Sequence, residues 1–202
     1  MKKTVLAGIL LLSLSVVQAQ IFNPFKVDIS AGYAIPAGPG SSGGVCFAIE
    51  PKFAIIDRFA VGLRLEAAVT ARGFVSSDGS SASANVAASA SYLATYDYYI
   101  TNFIVRPFVG GGTGVYDMAS ASFSGNSQGD ANVAAAASTK IGTMLRGGFE
   151  FHHFRFAAEY NFIGKTTETV TDGNGNSMGT ISAKNSYASI KIGFFIGGGR
   201  KK

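Results

Sequence analysis

The chain has 202 residues, 47% of them hydrophobic but only 14% charged, and a formal net charge of +5. That length suits one domain, the charge is too mild to point to nucleic acid, and no apolar run beyond the N-terminus reaches the ~20 residues of a membrane helix. A chain this apolar without a spanning helix is either very rich in core or crosses a membrane with strands.

Residues 1–19 read as a cleaved secretory signal, leaving residues 20–202 as one barrel domain. Lys2 and Lys3 form the basic region, Val5 to Val17 the apolar region, and Val17-Gln18-Ala19 a small-residue cleavage site. Cys46 is the only cysteine, so no internal disulfide can form, and it reads as a small buried residue.

The mature chain alternates with a period of two, the mark of strands with one apolar and one polar face. Phe25 to Ile35 places Phe25, Val27, Ile29, Ala31, Tyr33 and Ile35 on one side. After the strand-breaking PAGPGSSGG, Val45 to Ile55 alternates again, with Pro51 predicting a bulge or local gap because proline cannot donate to a ladder. Phe59 to Arg72 is the longest clean alternation: Phe59, Val61, Leu63, Leu65 and Val69 oppose Arg64, Glu66, Thr70 and Arg72. Its polar side is thin, with Gly and Ala among full charges, which suits an enclosed face better than a solvated one.

A fourth strand is predicted over Ala88 to Ile100, a fifth over Phe103 to Tyr116, a sixth over Lys140 to Phe151, a seventh over Phe154 to Gly164 and an eighth over Asn185 to Ile196. The glycines from Gly110 to Gly114 suit a sharply curved wall. Long small-residue loops are predicted at 36–43, 73–87, 117–138 and 166–184, and tight connections at Ile56-Asp57-Arg58, Thr101-Asn102 and His152-His153. This alternation of long loops with short turns is the habit of outer-membrane barrels.

The tight turns predict register, because facing residues of an antiparallel hairpin point to the same side. They set Glu50 opposite Arg64, Asp97 opposite Arg106, Glu150 opposite Arg155 and Arg146 opposite Glu159, four pairs of opposite sign on the inward face. The first hairpin, paired as Ile35 with Val45, sets Asp28 opposite Lys52. Glu66 faces Ala48 and must reach sideways, and Lys191 needs Asp28 or Glu159. The predicted lumen charge network is therefore Asp28, Glu50, Lys52, Arg64, Glu66, Asp97, Arg106, Arg146, Glu150, Arg155, Glu159 and Lys191. A soluble lipocalin-like barrel would turn the apolar set inward instead, but the large residues are too many for an eight-strand interior, which is only just wide enough for side chains. Aromatics gather near the strand ends, Phe25, Phe53, Phe149, Phe151 and Phe154 at one and Tyr33, Phe47, Tyr92 and Tyr160 at the other, as two interfacial girdles.

With these features the chain resembles the small outer-membrane β-barrel proteins of Gram-negative bacteria, the OmpA/OmpX-like group. The resemblance covers essentially the whole mature chain and is most specific in SYASIKIGFFIGGGRKK, an alternating strand closing on aromatics. Members usually finish on an aromatic residue; this chain adds a Gly/basic tail after Phe194-Phe195-Ile196. The resemblance implies an all-β, eight-stranded antiparallel up-and-down transmembrane barrel with short periplasmic turns and longer extracellular loops. It also implies a cell-envelope location in the outer membrane, contact with outer-membrane lipids and lipopolysaccharide, insertion by the barrel-assembly machinery, and a monomer.

No residue pattern predicts an enzyme, a cofactor or a metal. His152 and His153 fall in a turn without a nucleophile nearby. Asp172-Gly173-Asn174-Gly175-Asn176 begins like a calcium loop but lacks the following glycine and the bidentate glutamate. The expected function is a closed, salt-bridged barrel with a structural or surface-interaction role through its loops. The alternative is a narrow porin-like channel for small solutes.

Overall fold

The computed structural model describes residues 23–37, 41–75, 82–125, 131–171 and 177–198. The predicted signal, the calcium-like loop at 172–176 and the tail at 199–202 lie outside the described residues. Eight strands close into an antiparallel barrel: β1 (Phe25–Pro36), β2 (Ser41–Ile56), β3 (Phe59–Val75), β4 (Ala82–Tyr99), β5 (Val105–Gly125), β6 (Ala131–Phe151), β7 (Phe154–Ile163) and β10 (Tyr187–Gly197). Neighbours in sequence are neighbours in the wall, and β1 seals the barrel against β10. β8 (Thr166–Thr171) and β9 (Ser177–Ala183) form a separate two-stranded hairpin.

The alternation of the sequence maps directly onto the wall. In β7 each step reverses the side, from exposed Phe154 to buried Arg155 to exposed Phe156, through to buried Ile163. Leu63, Ile141 and Ile190 are 66%, 80% and 67% exposed on the outside, whereas Arg64 and Lys191 beside them in sequence are 1% and 3% exposed inside. The barrel is thus apolar without and charged within, the inverse of a lipocalin-like wall.

Two registers follow the predicted ones. Ala48 faces Glu66 and Ile49 faces Leu65, and the ladder resumes at Lys52 with Gly62, so the β2–β3 register is kept across a gap at Pro51. The bulge lies lower, between Ala54 and Ile56, and brings Ile56 rather than Ile55 opposite Phe59. Across β6–β7, Glu150 faces Arg155 and Arg146 faces Glu159.

Two registers differ. The first hairpin pairs Tyr33 with Val45, two residues from expectation, so Asp28 faces Glu50 and Lys26 faces Lys52. Across β4–β5, Asp97 faces Gly110, not Arg106. The connection there is not a two-residue turn: residues 100–104 lie outside the strands, with Phe103 80% exposed. Both slips are even, so they preserve the inward and outward faces.

The segments predicted as long loops are largely paired strand. β5 and β6 stay in register from Val105 with Phe151 to Gly125 with Ala131, and β3–β4 runs to Val75 with Ala82. Ala and Ser dominate these segments, and their weak two-residue contrast hides strand in the sequence. β7 and β10, of 10 and 11 residues, match the roughly 9–11 residues that cross a hydrocarbon layer. β5 and β6, of 21 residues each, continue well past that height at the end of the long connections.

Candidate functional site

The barrel interior holds the only concentration of chemistry among the described residues. It is built from the inward positions of all eight barrel strands and is layered from the short-turn end upward. At the bottom, Tyr99 and Phe108 form an aromatic layer with ring centroids 6.0 Å apart. Lys26 Nζ lies 4.7 Å from the centroids of both Tyr99 and Phe195, and the Arg155 guanidinium carbon 3.6 Å from that of Phe108. Cations over aromatic faces are attracted by the ring quadrupole, more so when desolvated.

Above this layer the buried charges separate into two neutral islands. The larger joins Lys26, Lys52, Arg146 and Arg155 to Asp28, Glu50, Asp97 and Glu150. Arg146 forks onto Glu50, donating from both terminal nitrogens at 2.7 Å, and its Nε donates to Asp97 Oδ1 at 2.8 Å. Arg155 reaches Glu150 at 2.8 Å, Asp97 at 3.0 Å and Asp28 at 3.1 Å. Lys52 lies 2.9 Å from Asp97 and 3.4 Å from Asp28. Tyr99 donates its hydroxyl to Glu150 at 2.8 Å and accepts from Lys26.

The smaller island is a closed ring of four. Arg64 pairs with Glu66 and, at 2.6 Å, with Glu159; Lys191 pairs with Glu66 and, at 2.8 Å, with Glu159. Tyr187 donates to Glu66 at 2.6 Å. Between the islands lies a cavity of about 10 Å³ for water centres, lined by Asp28, Glu50, Arg64, Arg146, Arg155 and Glu159 among others. That is about the room of one water molecule. Above the ring, Cys46, Leu93, Tyr116, Ile163 and Tyr187 close the interior with an apolar layer, and Tyr116 donates to Asn161 at 2.7 Å.

Every charge of the two islands is buried, and each has a partner of opposite sign. An isolated buried charge costs several kcal/mol, so balance is the condition under which such an interior is tolerated. Glycine makes the space: the inward positions of β5 between Phe108 and Tyr116 are Gly110, Gly112 and Gly114, and a Cβ at Gly112 would stand 2.9 Å from the Thr95 methyl.

Of the residues predicted for the network, Asp28, Glu50, Lys52, Arg64, Glu66, Asp97, Arg146, Glu150, Arg155, Glu159 and Lys191 lie in the two islands. Arg106 does not. The longer connection at 100–104 draws it to the short-turn end, where it donates to the Asp57 carbonyl at 2.8 Å and to Asn102 at 3.2 Å. Partners also differ from those expected. Glu50 takes Arg146 rather than Arg64, and Glu159 takes Arg64 and Lys191 rather than Arg146. Facing positions set the height of a side chain, but long side chains in a narrow barrel reach across the lumen instead of along the ladder. Lys26, Tyr99 and Tyr187 also belong to the network; their inward parity next to charged neighbours was the signal available for them.

His152 sits in the β6–β7 turn with a φ of 53°, and the His153 ring stacks on Phe194 at 5.9 Å. Among the described residues no group of His, Cys, Asp and Glu is placed to hold a metal.

The fold is that of solved outer-membrane barrels. A major outer membrane protein from Thermus thermophilus matches with a TM-score of 0.55 at 10% identity, over 85% of this chain and 99% of that one. Neisserial surface protein A matches with a TM-score of 0.52 at 17% identity, over 87% and 98%. OprG from Pseudomonas aeruginosa matches with a TM-score of 0.52 at 11% identity, over 88% and 98%. No protein-family model and no curated protein matches the sequence.

Proposed function

We propose that this chain, an outer-membrane barrel by fold, is an integral protein of a Gram-negative outer membrane that presents its long hairpins outward on a barrel that does not conduct. The observation that carries this reading is the pair of neutral charge islands spanning the interior. Each cation is engaged by carboxylates from other strands, so an ion entering the lumen would have to displace bonds already made between fixed groups. Aromatic and apolar layers close both ends of the islands. The apolar outer wall supports lipid, including lipopolysaccharide, as its surroundings. The N-terminal pattern supports export through a signal cleaved near Ala19, followed by insertion as a monomer through the barrel-assembly machinery.

The reading is tested by fractionation and by efflux. Recovery with the outer membrane, with an epitope placed at 126–130 accessible on intact cells, is the expected result; recovery in the soluble periplasm would overturn the membrane assignment. Proteoliposomes should retain sucrose as well as protein-free vesicles do, and rapid sucrose loss would overturn closure.

A further inference from the structure

The layer between the two charge islands is made by small inward residues on three neighbouring strands. Inward positions recur every second residue along a strand. On β1, Asp28 is followed inward by Ser30. On β7, Arg155 and Glu159 flank Ala157, and on β10 Lys191 is followed by Gly193. β10 lies between β1 and β7 in the wall, with Ser30 facing Gly193 and Lys191 facing Ala157. Ser30, Ala157 and Gly193 therefore leave room between longer side chains, and all three line the water-sized cavity between the islands.

Two further residues on the wall of this cavity each carry a buried polar atom with no hydrogen-bond partner among the described residues. One atom is an acceptor, Asp28 Oδ1 of the larger island, and the other is a donor, Arg64 Nε of the smaller. The remaining polar atoms at these ends are engaged: Asp28 Oδ2 by Lys52 and Arg155, and Arg64 Nη2 by Glu66 and Glu159. Asp28 and Arg64 are 3% and 1% exposed, and an unsatisfied group at such depth costs its full desolvation. Gly193 keeps a seat open beside the acceptor. A Cβ there would stand 2.8 Å from Asp28 Oδ1, the length of an ordinary hydrogen bond between two oxygens. A cation in that seat would suit Asp28 and oppose the Arg64 guanidinium, and an anion would do the reverse. A neutral molecule that both donates and accepts suits both, and the cavity has room for one water.

We propose that the barrel holds one structural water between the islands, donating to Asp28 Oδ1 and accepting from Arg64 Nε. The water turns two islands into one hydrogen-bonded network along the lumen. That network runs from Tyr187 through Glu66 and Arg64 to the water, and on through Asp28, Arg155 and Glu150 to Tyr99. Because water carries no net charge, each island keeps its own neutrality. The site stands apart from the reading of the hairpins as an interaction surface.

The test is solution NMR of the isotope-labelled full chain in detergent micelles, with the Arg64 Nε–H assigned by through-bond correlation along its own side chain. That proton should show cross-relaxation with water, of opposite sign in the laboratory and rotating frames, the mark of a water held as long as the barrel tumbles. Magnetisation relayed through the Lys191 ammonium would mimic this signal. Gly193→Ala separates the two, because its methyl takes the seat beside Asp28 Oδ1 and leaves Lys191 in place. The cross-peak should be lost in Gly193→Ala and kept in Gly147→Ala, whose added methyl has no atom closer than 3.7 Å. Ala157→Val fills the same cavity from β7 and should also lose it, which covers the case that Gly193→Ala does not fold. Absence of the cross-peak in the folded parent would overturn the proposal. So would equal signs in the two frames, which report exchange with bulk solvent, or a cross-peak that persists in either folded cavity-filling variant.

Discussion

Asp28 faces Glu50 across the β1–β2 ladder, carboxylate opposite carboxylate, and Lys52 stands 3.4 Å from the first and 3.5 Å from the second. Like charges directly opposite destabilise a sheet. Here the repulsion is offset from the side by Lys52 and from across the lumen by Arg146 on Glu50 and Arg155 on Asp28. The wall alone does not balance these charges; the closed barrel does, which couples this charge balance to closure.

Lys52→Met removes the cation shared by Asp28, Glu50 and Asp97. Loss of one partner from a buried ion pair typically costs about 3–5 kcal/mol. Urea unfolding in detergent micelles should show a loss of that order at unchanged slope. A change below about 0.5 kcal/mol would mean that the three carboxylates do not depend on Lys52.

The cross-lumen partners can be separated from the facing ones by charge reversal. Arg146→Glu should destabilise strongly. Adding Glu50→Arg should recover part of the loss, because Glu50 is the carboxylate that Arg146 grips with both terminal nitrogens. Adding Glu159→Arg should recover nothing, although Glu159 faces Arg146 in the ladder, because its bonds go to Arg64 and Lys191. A double-mutant cycle reads this difference directly, since contacting residues typically couple by about 0.5–3 kcal/mol. Coupling of Arg146 to Glu159 larger than to Glu50 would contradict the two-island arrangement.

The inward and outward sides of the wall should respond oppositely to one methyl group. At Gly148 an added Cβ would overlap the Phe156 carbonyl and stand 2.9 Å from Ala157 Cα, both backbone and unable to move aside. At Gly147 the nearest atom is 3.7 Å away. Gly148→Ala should lower refolding yield into lipid severalfold, as judged by the heat-modifiable gel shift of folded barrels, while Gly147→Ala should refold like the parent. Equal yields would mean that β6 and β7 do not pack at the stated separation.

The two faces of the wall were legible in the sequence because a period of two survives any even slip of register. Phe154 to Ile163 shows this most plainly, residue by residue. Register was legible where a turn was tight: the Ile56-Asp57-Arg58 and His152-His153 connections give Ala48 with Glu66 and Glu150 with Arg155. It was not legible at Thr101-Asn102, where Phe103 and Ile104 continue the apolar pattern yet lie beyond the strand, nor at the first hairpin, whose long connection leaves the pairing free by two. The upper halves of β5 and β6 were missed because Ala and Ser on both faces carry no contrast. Ion partners were legible for Glu150 with Arg155, where facing residues also bond, for Lys191 with Glu159, and for Asp28 with Lys52, which pair at 3.4 Å although they do not face each other; the rest depend on which long side chains meet across the lumen.

Closure of the interior is tested most directly by single-channel recording of the purified full chain in planar lipid bilayers, beside the Lys52→Met variant. The parent should give no steady conductance above the bare membrane, and the variant, with the larger island broken, should show brief openings. A stable, sizeable conductance from the parent would contradict the account.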